Sequence, residues 1–279
     1  MGRSLHDESL RPRQDRITTG ERGSPNNPAH EREHDEKAIY QNRGQRHRVN
    51  SEQARVLQDV GAFRTVTANS LRKYLYENND ERFRKDLRNL ADRRLVRIQP
   101  GSKADGGYVS LTRTGRELTE ANLRPNRNQV IYSGIVKKRE LRHDAAIYDV
   151  YQKEARKIAK AGGTPKRIVL DFELKRDVNR RLAQIQYAAP PERERQRREI
   201  AEAHGLKIVE GKIQFPDVRI EFETRDHEQS KVDLECVTGH YKARQIAAKK
   251  AAGFKLYTQD YRGRSAERGE DLVGEVMSL

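Results

Sequence analysis

From Ser51 to Leu123 the chain lays down three helical patterns and then switches to a period of two, a succession that few folds accommodate. SEQARVLQDVGAF opens at Ser51, a good helix cap, and carries Val56, Leu57 and Val60 on one face. TVTANSLRKYLY follows, with Thr67 as a second cap and Leu71 and Leu75 four residues apart. DERFRKDLRNLADRRL sets Phe83, Leu87, Leu90 and Arg94 along one stripe. Its opposite side carries Arg84, Lys85 and Arg88, with Arg82 and Asn89 on the flanks. LVRI then reads as a strand, QPGSKADGG as a turn-rich tip and YVSL as a second strand, and TRTGREL starts another helix.

Three helices, the third of them basic, followed by strand, tip and strand have the order of a winged helix-turn-helix, expected here over residues 51–123. A helix that buries one stripe and offers guanidinium and ammonium groups on the other can enter a major groove. There Arg and Lys bridge phosphates and the O6/N7 edge of guanine. Arg82, Arg84, Lys85, Arg88 and Asn89 are therefore the expected contacts to double-stranded DNA, with Lys103 in the wing tip as a further one. A basic side is also what a merely solvated helix face looks like, and such modules serve protein contacts too.

Charge points the same way. Lys and Arg number 57 against 42 Asp and Glu, a net charge of +15, which favours a polyanionic partner. There is no long apolar run and no signal-peptide pattern, so no membrane partner is expected. The single cysteine, Cys236, excludes an internal disulfide framework and a Cys-cluster zinc site, and fits a cytoplasmic location. Residues 1–50 are rich in Arg, Asp, Glu, Asn, Gly and Pro and poor in apolar side chains; they read as a disordered tail. His30 and His34, four apart within it, read as solvated rather than as metal ligands. Residues 263–279 are taken as a second tail.

Residues 124–136 read as a linker running into a short strand, and 137–262 as a second, mixed-sheet α/β (α+β) domain. RELRHDAAIYDVYQKEARKIAKAGG predicts a long helix with Ile147, Val150, Tyr151 and Ile158 inward. RIVLDFEL predicts a strand with Ile168, Leu170, Phe172 and Leu174 on one side. PPERERQRREIAEAHG is a charged helix without an apolar stripe, hence an exposed arm. FPDVRIEFET and KVDLECVTG are strands, HYKARQIAAKKAAG a basic helix and FKLYTQ a last strand. Tyr148 and Tyr151 sit at helical spacing and read as packing residues rather than nucleophiles.

The two strands carry the most suggestive chemistry. Asp217 stands at the mouth of the first. In the second, alternation puts Val232, Leu234 and Cys236 on one side and Lys231, Asp233 and Glu235 on the other. Asp217, Asp233 and Glu235 together would suit Mg²⁺ at a phosphodiester, with Lys242 or Lys231 supplying a cation to the phosphate oxygens. The plainer reading is that Asp233 and Glu235 form the wet face of an amphipathic strand.

The Pro216–Asp217 pair and the acidic strand, coming after a long helix and a strand, resemble the PD-(D/E)xK restriction-endonuclease-like fold. In that family the first acid and the (D/E) ligate Mg²⁺ and the lysine positions water. Asp217 matches the first acid. With Glu235 as the second acid, Val237 stands where the lysine belongs; with Asp233, Glu235 does. Lys242 is then the candidate for a migrated lysine, and Glu173-Leu-Lys175 is a coincidental match. A winged helix joined to such a part, with His143 before a helix, is similar to the replication-relaxation family. His143 itself reads as a cap or packing residue. The resemblance spans residues 50–258 and implies a DNA-binding protein acting in replication or mobilisation of a plasmid or integrative element. It also implies replication or transfer proteins as partners, and a homodimer stays open. Two further readings stand beside it: a Mg²⁺-dependent nickase or endonuclease using Asp217, Asp233 and Glu235, and a plain transcriptional regulator.

Overall fold

Regular structure begins earlier than the tail-like composition suggests. The structure, a computed structural model, describes residues 37–134, 140–239, 241–258 and 277–278. Most of the expected N-terminal tail, His30 and His34 included, lies outside the described residues. Residues 38–49, however, form a hairpin of β1 (Ala38–Asn42) and β2 (Gln45–Val49), turned by Arg43 and Gly44 at positive φ. His47 and Val49 alternate inward and are buried, a period-two signal too short to stand out among charged neighbours.

The three expected helices follow as α1 (Ser51–Phe63), α2 (Ala68–Leu75) and α3 (Asp80–Asp92). The cap of α1 is Asn50 rather than Ser51: its side chain accepts from the Gln53 N–H, and the Gln53 side chain accepts from the Asn50 N–H. Thr67 caps α2 as expected. On α3, Phe83 and Leu90 are buried and Leu87 packs partly against the core, but Arg94 lies past the helix end at φ 55° and is exposed. The stripe is completed instead by Asp86, a buried carboxylate. It accepts from Gln53 Nε2 at 2.8 Å, Tyr76 OH at 3.1 Å and Asn50 Nδ2 at 3.2 Å. Strands β3 (Val66–Thr67), β4 (Val96–Gln99) and β5 (Tyr108–Leu111) pair antiparallel in the order β3-β5-β4. Helix α4 (Arg113–Leu118) comes next and runs into a π-turn over Thr119–Leu123.

The segment after Leu123 holds no strand among its described residues, contrary to expectation. It is tied down by side chains: Ile131 is buried against Gly61, where an added Cβ would come within 2.8 Å of Ile131 Cγ2. Gln129 meanwhile bonds both the N–H and the C=O of Ile168. Its amide thus acts as one rung of a ladder on the edge of the next strand.

Helix α5 (Leu141–Lys160) packs on α1, α2 and β3 on one side and on β6 (Thr164–Leu170), β9 (Val218–Glu223) and β10 (Gln229–Val237) on the other. One apolar core therefore runs from Val49 through Phe63, Leu90 and Tyr148 to Leu234 and Tyr257. The main sheet has the order β12-β11-β10-β9-β6. Its β6, β9 and β10 are antiparallel, and β10, β11 (Lys255–Thr258) and β12 (Met277–Ser278) are parallel. The short strand β12 falls in residues expected to be tail. The expected strand RIVLDFEL also ends early. At Asp171 the chain turns into α6 (Asp171–Gln184), whose first turn carries Asp171 and Glu173, favourable charges at a helix N-terminus. Phe172 then packs edge-on to Tyr132 rather than continuing the strand's face. Helix α7 (Pro190–Ala203) returns along α6, and Val178, Ala201 and Leu206 bury a small separate core at their root. A two-residue pair, β7 (Ile208–Val209) with β8 (Lys212–Ile213), leads into β9, and α8 (Ala243–Ala251) links β10 to β11. The result is a mixed α/β fold with no helix among the described residues long and apolar enough to cross a membrane.

Tyr148, fully buried on α5, packs edge-on to Phe63 at 5.1 Å and donates its hydroxyl to Asp59 of α1 at 2.6 Å. Burial pushes the Asp59 carboxyl up to about 6, outweighing the Tyr148 hydrogen bond and the charge of Arg55. A carboxyl raised in the folded state binds its proton more tightly there than in the unfolded chain. The contribution of Asp59 to stability should therefore fall as pH rises from about 4 to about 6. Urea unfolding across that window is expected to show a shallower slope in Asp59→Asn than in the natural chain. An identical slope would mean that Asp59 does not titrate with folding.

Candidate functional site

At the mouth of β9 the two central strands part. Their ladder ends at the pair Val218–Leu234, after which β10 continues alone beside β11. Pro216 has no N–H to extend the ladder, and Asp217 fills the gap with its side chain. Asp217 Oδ2 accepts the Cys236 N–H at 2.7 Å, while the Asp217 N–H reaches Leu234 O at 3.0 Å and Glu235 Oε2 at 3.2 Å. The sequence thus folds Asp217 and Glu235 into one notch, and α5 closes it from its first turn. His143 Nε2 lies 3.3 Å from Asp217 Oδ1. Asp171 joins the same edge through its N–H, which donates to Asp217 O at 3.1 Å.

The other wall of the notch comes from α8 and the turn before it. Lys249 Nζ sits 2.7 Å from Glu235 Oε1 and also donates to Phe215 O at 2.6 Å. Tyr241 OH donates to the same Glu235 oxygen at 2.8 Å. Glu235 is only 1% exposed. Its burial, and then the charge of Asp217, push its carboxyl up to about 7 against the pull of Lys249 and Tyr241. The hydrogen bond to Asp217 holds His143 above the ordinary histidine range, more than offsetting the opposing effect of its burial. Asp144, its neighbour on α5, is raised by burial despite Arg64 at 3.6 Å. The notch therefore brings a carboxyl and an imidazole, both raised above their ordinary values, to either side of Asp217, residue types that serve as general acids and bases.

Asp233 does not join it. Asp233 and Glu235 share a face of β10 but stand about 6.5 Å apart along the strand. Arg219, directly opposite on β9, grips Asp233 with Nε at 2.6 Å and Nη2 at 2.9 Å. The same guanidinium donates to His204 O and Gly205 O, and Lys231 Nζ donates to Gly205 O. Asp233 thus anchors the end of α7 to the sheet. Lys242 is also elsewhere: it is exposed at the start of α8, and its side chain makes no ion pair among the described residues. Lys249, two turns on along the same helix face, is the lysine that reaches the acids. Its spacing of seven from Lys242 is the available signal, since i and i+7 share a face. His143 reads as a cap or packing residue from the sequence but is instead a partner of Asp217. No sequence pattern singles out Tyr241.

A hard divalent cation takes one or two carboxylates and completes its shell with water. Asp217 and Glu235 fit that requirement as a pair, although each of their oxygens already meets a donor and Lys249 competes for the cation's place. Among the described residues, no group of three or more His, Cys, Asp or Glu is placed to hold a metal.

The expected DNA contacts are displayed as follows. Arg84, Lys85 and Arg88 are exposed along α3, and Lys103 is exposed in the tip between β4 and β5. Arg84 meets Asp80 at 3.2 Å and Arg82 pairs with Glu52 at 2.9 Å, so Arg82 is drawn inward toward α1. Asn89 is half-buried and lies 3.5 Å from Gln53 Nε2. Lys85 and Arg88 make no ion pair among the described residues.

Removing one partner of the Glu235–Lys249 pair strands a buried charge, whereas removing both relieves it. Lys249→Met is expected to cost about 3 kcal/mol of folding stability. Lys249→Met with Glu235→Gln should recover much of that loss in urea unfolding. Strictly additive losses would show that the two side chains do not interact. Compared with protein-family models, with curated proteins and with solved structures, the chain matches none of them.

Proposed function

We propose that the chain is a double-stranded-DNA-binding protein in which residues 51–123 act as a winged helix and α3 lies in the major groove. The observation that carries this reading is the exposed face of α3. There Lys85 and Arg88 make no ion pair among the described residues, over a helix whose other side is buried. A lysine and an arginine one turn apart suit phosphate oxygens and guanine edges, and the tip holding Lys103 stands ready for an adjacent phosphate. The net charge of +15 supplies the long-range attraction. The second part, helix–strand–arm–strand–strand–helix–strand, is read as a restriction-endonuclease-like core. The resemblance to the replication-relaxation family makes replication or mobilisation of a mobile element the setting, with a transcriptional role as the alternative.

A specific observation favours a second reading, that of a nickase or endonuclease: Asp217 and Glu235 converge with Lys249 and His143 in one notch. Magnesium bound there would stabilise charge on a phosphoryl oxygen and lower the pKa of a bound water. Lys249 would hold a phosphate oxygen, and His143 or Glu235 would carry a proton. Asp233, gripped by Arg219, has no part in it.

Lys85→Ala with Arg88→Ala should weaken duplex binding at least ten-fold. The slope of log K against log salt should become shallower by about 0.9 for each phosphate no longer neutralised. Unchanged affinity and slope in a titration across salt concentrations would remove α3 from the interface. For the second reading, supercoiled plasmid incubated with Mg²⁺ is expected to be nicked by the natural chain and left intact by Asp217→Ala. Equal nicking by both, or none on DNA that the protein binds tightly, leaves a binder without this chemistry.

A further inference from the structure

We infer that the tip of the α6–α7 arm is a second DNA contact, at which Tyr187 stacks on an unpaired base. This rests on the DNA-binding reading but concerns a different element and a different form of the nucleic acid. Tyr187 is 91% exposed, against 54% and 43% for Ile39 and Ile98, the other large hydrophobic side chains left open among the described residues. An aromatic ring held in water forgoes a substantial burial gain, so a ring presented in this way is available to a partner.

The tip is built to present it. The helices are rooted in the small core of Val178, Ala201 and Leu206, with Leu182 packed against it. The turn between them is fixed by Ile185 N–H to Leu182 O and Ala188 N–H to Ile185 O. Arg193 Nη1 donates back to Gln186 O at 3.4 Å, and Pro190 and Pro191 stiffen the return. Stacking there would cost little ordering entropy, because the backbone under the ring is already set.

Charge identifies the occupant. From Val178 to Pro191 there is no Asp or Glu, while Arg180 and Arg181 stand on the last turns of α6. Arg181 is exposed and makes no ion pair among the described residues; Arg180 has only Asp177, at 3.7 Å. Farther along α7 the arginines are neutralised: Arg195 pairs with Glu192 and Glu199, and Arg197 and Arg198 with Glu194. The uncompensated positive charge therefore lies at Arg181, in the last turn of the helix that leads into the tip. A tip that carries one open aromatic and a cation on the helix leading into it suits a strand whose backbone is anionic and whose base offers a π face. The rim mixes the polar Gln184 and Gln186 with the apolar Ala188, Ala189, Pro190 and Pro191, so it is the positive charge that favours a nucleic-acid strand over a protein surface. Paired bases in a duplex keep their faces stacked on one another, so the base must be unpaired.

The test uses the full chain on a single-stranded oligonucleotide and on a fully paired duplex, with Tyr187→Ala and Tyr187→Phe. Single-strand affinity should fall roughly ten-fold in Tyr187→Ala and hold in Tyr187→Phe. Duplex affinity should stay unchanged in both, and circular dichroism should show both folded. Unchanged single-strand affinity in Tyr187→Ala overturns the inference, as does a natural chain that binds duplex but not single strands. A change of sedimentation with Tyr187→Ala also overturns it, by showing that the ring meets a second copy. Failure to bind either nucleic acid removes the DNA reading itself.

Discussion

A buried carboxylate, Asp86, sets the geometry on which the proposed interface depends. Unpaired, its charge would be costly in so apolar a place; bonded by Gln53, Asn50 and Tyr76 it instead joins α3 to the start of α1 and the end of α2. Because it lies between Phe83 and Leu90 on the buried stripe, these bonds fix the rotation of α3 about its own axis. That rotation leaves Arg84, Lys85 and Arg88 facing outward. The polar network and the basic face are thus two sides of one constraint.

Helix α5 carries the same logic into the rest of the molecule. Its middle packs Tyr148 against Phe63 and Tyr74, and its first turn brings His143 to Asp217 at the divergence of β9 and β10. The element that docks on the three-helix part therefore also closes the acidic notch. The notch differs from a simple wet strand face because Glu235 is buried and lies beside an acid, which together raise its carboxyl against the pull of Lys249. The arginine fork on Asp233 has the opposite effect: it consumes both oxygens in anchoring α7.

Long periodic stretches are readable in the sequence: the helices at 51–63, 80–92 and 141–160, the alternation in β9 and β10, and the tip between β4 and β5 all stand where the pattern puts them. Elements decided by local competition are not. DFEL alternates as a strand does, yet the acids at Asp171 and Glu173 and the packing of Phe172 on Tyr132 turn it into a helix start. The β1–β2 hairpin has too few apolar residues to register above its charge. In the site, alternation places Asp233 and Glu235 on one side of β10, as the structure has them, but it carries no information about Arg219 on the neighbouring strand. For the same reason the sequence points to Lys242 rather than Lys249: the spacing of seven puts both on one helix face, and the packing of α8 decides which turn meets the acids.

Photo-cross-linking tests most directly the proposed placement of α3 in the groove of duplex DNA. A photoreactive side chain placed at Arg88 should cross-link to the bases of a bound duplex, while the same group placed at Arg113, exposed on α4, should not. Cross-linking from Arg113 with none from Arg88, on DNA that the protein binds, would contradict the placement of α3.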